Sequence, residues 1–229
     1  MFNLIITPVY RAYNIVLQMC EAIDKNTVYP FYHILVDDDS RLEEPFPVKI
    51  TRNRHVITIG RDFIEPNWKH QNGLGQAVQL GYDYSNYRHE NAEERIPYDH
   101  VFLVESDILV KPEWDKKMID LIPSLPSDWA TLDTTAVDET DNMTYPTKIN
   151  VPLEHLNNQL AKITYTDYQT TMFNNEILPE KSGIKFSDFR SHFDILFSRK
   201  VIELTGKQHY RAKQIYHFHF GGQSRQFLK

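Results

Sequence analysis

Two acidic residues interrupt an apolar run near the middle of the chain, in the segment 100–115 (HVFLVESDILVKPEWD). The apolar residues on either side of them, 101–104 and 108–110, predict a strand that is buried on both faces. On an extended chain, Glu105 and Asp107 would project to the same side, a few ångströms apart. Burying this pair without partners would cost several kcal/mol. We therefore expect a bound cation or basic side chains beside them, unless the strand runs out into solvent there and the acids are simply hydrated.

The length and composition predict one globular domain spanning residues 1–229. Hydrophobic residues make up 41% and charged residues 24% of the chain, and the net charge of −6 argues against nucleic acid bound through a basic face. The single cysteine, Cys20, excludes an internal disulfide. No signal peptide is visible, and no apolar run reaches the ~18 residues that a membrane span needs. We expect a cytoplasmic protein.

The first forty residues have the order strand, helix, strand. The segment 4–10 predicts a buried strand stopped by Pro8, Asn14 predicts the cap of a helix from Ile15, and 32–36 predicts a second strand. This βαβ order implies a parallel sheet with a right-handed crossover.

Acidic clusters follow two of the predicted strands. Asp37, Asp38 and Asp39 come after the second strand, as Glu105 and Asp107 come after the later one. In parallel sheets, ligands bind beyond the carboxyl ends of the strands, so we expect both clusters at one edge. The alternative for the first cluster is ordinary turn chemistry.

The rest of the chain has weaker signals. Gly81 would cost about 1 kcal/mol inside a helix, which predicts close packing there. The aromatic segment 165–173 suits stacking on a sugar, although filling the core is favoured. The remaining predicted elements are a strand at 56–59, a helix from near Gly75, a helix after Pro112, a strand at 129–132, a loop at 134–150, an amphipathic helix at 153–163, a strand at 193–197 with Ser198 capping a short helix that Gly206 ends, and a last strand at 214–220.

Two histidines lie in the last predicted strand. Alternation puts His217 and His219 on one face, and Phe218 and Phe220 on the other. Because Gly221 and Gly222 follow directly, contact with a metal or phosphate is one interpretation. Ordinary packed or solvated histidines are the other.

Five short segments resemble, in order, the motifs of family 2 glycosyltransferases of the GT-A fold. They are 7–10 (TPVY), 36–40 (VDDDS), 72–81 with its Asn-Gly start, 103–107 (LVESD) with 112–114 (PEW), and 219–224 (HFGGQS). The resemblance spans nearly the whole chain. It implies a GT-A-like α/β fold, with a mostly parallel sheet of Rossmann-like topology flanked by helices. A nucleotide-binding half at 1–110 and an acceptor-side half at 111–229 are expected.

The same resemblance implies transfer of a sugar from a nucleoside diphosphate donor to a glycan, lipid-linked or other acceptor, with inversion. Contact with a membrane surface is left open. A divalent metal, Mn²⁺ or Mg²⁺, would bind Asp107, Glu105 and His219, since hard oxygen ligands suit it and it neutralises the leaving diphosphate. The residues implied in nucleotide binding are Pro8, Tyr10, Asp37, Asp38, Asn72, Gly73 and Glu105.

The chain departs from the family's pattern at three places. Glu105 stands where Asp is usual, and Asp39 where Gly is usual. After Gly206 the usual acid pair, whose second member is the catalytic base, is missing. An inverting transfer needs a base, and Asp188 and Asp194 are the candidates. Asp188 is slightly favoured, because it follows a loop-like segment whereas Asp194 falls inside a predicted strand.

Two other functions remain open from the sequence. A GT-A-like protein that binds nucleotide or sugar without turnover would explain the missing acid pair. A nucleotidyltransferase is less favoured, because residues 8–11 (PVYR) replace the Gly-rich, basic loop that such enzymes place after the first strand.

Overall fold

The computed structural model describes residues 1–9, 13–37, 47–58, 73–91, 98–137, 154–189 and 193–220. The helices of this part are α1 (Tyr13–Asn26), α2 (Gly73–Asn91), α3 (Trp114–Asp120), α4 (Pro179–Ser182) and α5 (Phe193–Thr205). The strands are β1 (Asn3–Val9), β2 (Phe31–Asp37), β3 (Arg54–Thr58), β4 (His100–Val104), β5 (Ile108–Val110), β6 (Trp129–Val137), β7 (Glu154–His155), β8 (Leu160–Ile163), β9 (Thr170–Phe173) and β10 (Gln208–His219). Within these described ranges, no helix combines the length and the apolar character that crossing a membrane requires.

One sheet contains all of these strands, in the order β3-β2-β1-β4-β9-β6-β10-β8-β7, with β5 paired to β10. The four strands β1 to β4 are parallel neighbours, as the βαβ pattern predicts. Of the strands in the described ranges, β1 to β4, β6, β7 and β10 run one way, and β5, β8 and β9 run the other way. The predicted fold class, an α/β fold with a mostly parallel sheet flanked by helices, is confirmed.

Helices pack on both faces of the sheet. On one face, Met19 of α1 and Trp114 of α3 lie in a buried cluster with Ile5 of β1. On the opposite face, α2 and α5 contribute to a second cluster, in which Phe197 and Leu4 are both buried. Because neighbouring residues of a strand point to opposite faces, β1 supplies both clusters and is buried on both sides.

Two glycines of α2 permit close approach to other elements. A β-carbon at Gly81 would lie 2.8 Å from Cγ2 of Ile6 and 3.1 Å from Cγ2 of Val36, so the predicted close packing is confirmed. A β-carbon at Gly75 would meet the carbonyl oxygens of Phe186 and Phe189. Gly75 therefore lets the start of α2 rest directly on the backbone of the turn at 186–189.

The first strand does not stop at Pro8. β1 continues to Val9, and Pro8 is in register with Val36 of β2. The pairing of β1 with β4 ends earlier, at Ile6. Pro8 therefore lies where β1 has a strand neighbour on one side, and a proline can be accommodated there.

The predicted helix at 153–163 is wrong. Residues 154–163 form the β7–β8 hairpin, in which Oδ1 of Asn157 accepts from the backbone N–H groups of Gln159 and Leu160. Leu156 and Leu160 have the four-residue spacing of a helix, but Leu156 is exposed at the turn and Leu160 is buried in β8. Turn-forming asparagine, rather than apolar spacing, decides this segment.

The predicted strand at 193–197 is also wrong, because these residues begin α5. Phe193, Phe197 and Val201 are buried at helical spacing, and a five-residue window is too short to reveal this period. Ser198 lies inside the helix instead of capping it. Gly206 ends the helix as predicted, with a left-handed φ of 71° and its N–H bonded to the carbonyl of Ile202.

Two other boundaries shift. β6 runs to Val137, so the first residues of the predicted loop at 134–150 are strand, and 138–150 lie outside the described residues. β10 begins at Gln208 rather than at Gln214, with a register irregularity between Arg211 and Tyr216. In the segment 165–173, Tyr168 and Phe173 lie in the core, which was the favoured interpretation.

We predict that Gly75→Ala lowers the free energy of unfolding by about 2–3 kcal/mol, because a methyl group there meets backbone carbonyls that cannot move independently. Gly81→Ala should cost less, since the contacting atoms are side-chain methyls and alanine gains up to ~1 kcal/mol of helix propensity. Urea unfolding of both variants measures the difference. Equal stability of the Gly75 variant and the parent would show that the 186–189 turn does not press on α2.

Candidate functional site

A three-residue link, 105–107, joins two strands that lie in different parts of the sheet. β4 lies between β1 and β9, whereas β5 pairs with β10. The N–H of Glu105 donates to the carbonyl of Gln169 (2.9 Å), and the carbonyl of Asp107 accepts from the N–H of Phe220 (3.1 Å). The predicted continuous strand is therefore two strands joined by a turn, and the turn is held at both ends.

The link brings Glu105 and Asp107 close to His219, although the backbone there is not extended. One ligand atom from each of the three residues lies within 4.8 Å of the others, and all three residues are half-buried. Nε2 of His219 lies 3.3 Å from Oδ2 of Asp107. His219 is carried to this position by the antiparallel pairing of β10 with β5, in which it is opposite Ile108.

The chemistry of this cluster suits a divalent cation. Two carboxylates and an imidazole offer oxygen and nitrogen ligands, and each can supply one atom to a common point. Two of these ligands carry negative charge, so a cation would offset the cost of keeping them together and away from bulk water. These are the three residues that the sequence resemblance implies as metal ligands.

A hydrogen-bonded chain of side chains lies behind His219. Nε2 of Gln169 lies 3.3 Å from Nδ1 of His219, and Oε1 of Gln169 lies 2.9 Å from Nε2 of His217. Nδ1 of His217 lies 2.5 Å from Oγ1 of Thr134. Both ring nitrogens of His217 are thus used within the protein, and His217 is not one of the three clustered ligands. Nothing in the sequence marks Gln169 for this position.

The burial of His217 fixes its charge. Its exposed fraction is 1%. Burial, with smaller contributions from His219 and Arg211, lowers the pKa of His217 to about 3. His217 is therefore a neutral imidazole at neutral pH, with one donor and one acceptor nitrogen.

The residues expected to bind nucleotide lie partly within the described ranges. Asp37 is buried at the end of β2, in register with Val9 of β1. It lies at the edge where β1, β2 and β4 end, and Glu105 follows β4 at that edge. Pro8 lies one residue before the end of β1, and Gly73 begins α2. Tyr10, Asp38 and Asn72 lie outside the described residues.

The two candidate bases lie in different surroundings. Asp188 is exposed, in a short 3₁₀ turn at 186–188. Asp194 is half-buried in the first turn of α5. The pKa of Tyr165 is raised by burial and then by the charges of Asp194 and Asp167, so Asp194 lies within electrostatic range of this tyrosine. Asp194 lies in a helix and not in the predicted strand, so the strand position that counted against it is wrong.

β6 contains a buried carboxylate that was not predicted from the sequence. Asp133 is 1% exposed, and its Oδ1 accepts from the hydroxyls of Thr166 and Thr171. Its Oδ2 has no hydrogen-bond partner in the part of the chain that the structure describes. Burial raises the pKa of Asp133 to about 7; Asp167 raises it further, and Arg211 opposes the shift. The sequence predicted that this strand ends at residue 132, so nothing in the pattern indicated that Asp133 would be buried.

No family model and no curated protein sequence matches this chain. The fold is similar to crystal structures of S. aureus TarS. The structure of TarS 1–349 has a TM-score of 0.62 and 19% identity, with 98% of this chain and 62% of that chain covered. The complex with UDP has a TM-score of 0.62 and 18% identity (95% and 60% covered), and the complex with UDP-GlcNAc has 0.59 and 17% (95% and 58%).

This chain therefore spans less than two thirds of the TarS chains that it matches. The likeness supports a GT-A-like fold and does not assign a specific family.

We predict that Asp133→Asn removes a pH dependence of stability. The pKa of Asp133 is raised to about 7 from 3.8, so ionisation opposes folding, and stability present below pH 4 is lost as the pH rises through 7. Relative to the parent, the variant should gain on the order of 2–4 kcal/mol in free energy of unfolding between pH 4.5 and 8. Urea unfolding at both pH values measures this gain.

The exposed Asp120 on α3 provides a matched control, since Asp120→Asn changes the same group outside the core. Its stability should follow the parent's pH profile. Parallel profiles for the Asp133 variant and the parent would contradict the prediction.

Proposed function

We propose that this chain is a glycosyltransferase that uses a nucleoside diphosphate sugar and a divalent cation. The observation that carries the proposal is the convergence of Glu105, Asp107 and His219 just beyond the carboxyl ends of parallel strands. Open α/β sheets bind ligands at this edge. The structures of TarS with UDP and with UDP-GlcNAc support a nucleotide sugar as the donor.

The bound cation, Mn²⁺ or Mg²⁺, would neutralise the diphosphate and so lower the cost of its departure. Glu105, Asp107 and His219 would hold it. Asp37 would accept hydrogen bonds from the base or ribose of the donor, together with Asp38. The remaining donor contacts of the proposal come from Pro8, Tyr10, Asn72 and Gly73.

Asp194 is the base that we favour for inverting transfer. It is half-buried in the first turn of α5, and the neighbouring Phe193 packs against Tyr168 of the segment 165–169 that ends at Gln169. Gln169 in turn contacts Glu105 and His219, so this segment connects the surroundings of Asp194 to the proposed cation site. Asp194 would take the proton of the acceptor hydroxyl as the glycosidic bond forms. The acceptor is a glycan, a lipid-linked molecule or another hydroxyl compound.

Binding without turnover is the second candidate function. Lys207 is the single residue between Gly206 and β10, so the acid pair expected after Gly206 is absent from the sequence. This absence favours binding without turnover. Incubating the protein with several UDP- and GDP-sugars, with and without Mn²⁺, separates the two functions. Release of UDP or GDP supports the transferase, and binding without release supports the second candidate.

We predict that Asp107→Ala removes the effect of Mn²⁺ on UDP binding. In the parent, Mn²⁺ should tighten UDP binding at least tenfold, because the cation bridges two negatively charged partners. Asp37→Asn is the matched comparison. It should weaken UDP binding by about 1.5–3 kcal/mol with or without Mn²⁺, because a charged acceptor is replaced by a neutral amide that offers only one accepting oxygen. Calorimetry measures both, and an undiminished Mn²⁺ effect in the Asp107 variant would end the metal assignment.

We also predict that Asp194→Asn slows turnover of the donor by ~10²–10⁴ with little change in UDP affinity. Asp188→Asn is the control, and it should keep the parent's rate because Asp188 is exposed on a separate turn. The readouts are UDP release from UDP-GlcNAc and calorimetric UDP binding. The opposite ranking of the two variants would return the role of base to Asp188.

A further inference from the structure

Gln169 connects the two parts of the chain that supply the proposed cation site. It is 6% exposed and lies just before β9. Its backbone carbonyl accepts from the N–H of Glu105, and its side chain lies between His219 and His217. Gln169 therefore contacts the backbone of Glu105 and the ring nitrogen Nδ1 of His219, two of the three proposed ligands.

The direction of these hydrogen bonds decides what His219 can do. A carboxamide accepts through its oxygen and donates through its nitrogen, and a neutral imidazole has one donor and one acceptor nitrogen. With Nε2 of Gln169 against Nδ1 of His219, the ring nitrogen Nδ1 accepts. Its hydrogen is then on Nε2, which faces Oδ2 of Asp107 at 3.3 Å. In this arrangement Nε2 has no lone pair to offer a cation.

A half-turn of the Gln169 amide reverses the whole chain of hydrogen bonds. Oε1 then accepts from Nδ1–H of His219, and the amide nitrogen donates to Nε2 of His217. The neutral His217 carries its hydrogen on Nδ1 and donates to Oγ1 of Thr134. That hydroxyl can in turn donate to the carbonyl of Thr170, 3.5 Å away. No proton is gained or lost, and each side chain keeps a partner.

We propose that Gln169 is a positioning residue for the cation site, and that its amide orientation selects the tautomer in which Nε2 of His219 is free to bind the cation. This inference rests on the proposed function, because it assigns His219 as a ligand. Metal-bound histidines commonly donate their other ring N–H to an acceptor, which fixes the ring and makes the ligand more basic. After the half-turn Gln169 would supply that acceptor, and His217 and Thr134 can hold the amide in either orientation.

Two substitutions at Gln169 test whether it positions the imidazole of His219 or only fills space in the core. The carboxylate in Gln169→Glu can only accept, so it would accept from both His219 and His217 and hold Nε2 of His219 free. We expect this variant to bind Mn²⁺ at least as tightly as the parent. Gln169→Leu offers no acceptor, and we expect its Mn²⁺ affinity to fall by about 10–100-fold. Calorimetric titration of Mn²⁺ without nucleotide gives both affinities.

The same substitutions in a His219→Ala background control for added charge and for repacking. There the leucine substitution should change Mn²⁺ affinity by less than about twofold, because the imidazole that Gln169 positions is absent. A loss of 10–100-fold that persists in this background would overturn the inference. So would a leucine variant that binds Mn²⁺ like the parent.

A metal-free measurement tests the tautomer itself. Nitrogen NMR of the imidazoles should show His219 protonated on Nε2 in the parent and on Nδ1 in Gln169→Glu. An unchanged tautomer in the glutamate variant would overturn the inference. If the parent binds no Mn²⁺, the proposed function fails as well. If the parent binds Mn²⁺ and neither variant differs from it, the role of Gln169 fails alone.

Discussion

Two backbone hydrogen bonds hold the candidate site together, one at each end of the link 105–107. The first joins Glu105 to Gln169 and the second joins Asp107 to Phe220. Without them, the acids would lie on a turn between two strands that have no neighbour in common. With them, the link spans from the parallel half of the sheet to β10, and its two carboxylates stay beside His219. Because both bonds use main-chain atoms, they do not occupy the carboxylates of Glu105 and Asp107.

Three of the buried or half-buried acids in the described part of the chain are compensated in different ways. Asp115 is fully buried and accepts from the side chain of Asn3 and the N–H groups of Val28 and Tyr29. Its carboxylate is satisfied by the protein and fastens α3 to the sheet. Asp133 accepts from two hydroxyls, and burial shifts its pKa towards neutrality instead. Asp107 faces an imidazole and a second carboxylate, an arrangement that the proposed cation would complete.

The sequence predicted the fold where local and tertiary signals agree. Apolar runs ending in acids gave β2 and β4 and their common edge, because parallel strands end on the same side of a sheet. The segments 153–163 and 193–197 were predicted wrongly because short apolar patterns fit either period. For the site, the acid pair and His219 stood out by type and position. Gln169 and Asp133 could not be recognised in the sequence. Their surroundings depend on residues that are distant in the chain and that lie near them only in the folded sheet.

The separation of the proposed ligands along the sequence bears on the order of folding. Glu105 and Asp107 lie near the middle of the chain, whereas His219 is in the last strand, β10. Such contacts close a long loop, and chains dominated by distant pairings fold slowly. The cluster is complete only after β10 has inserted between β6 and β8 and paired with β5. A nascent chain that stops short of β10 therefore lacks His219, one of the three proposed ligands. A cation held by all three residues would stabilise only the chain in which β10 is already paired with β5.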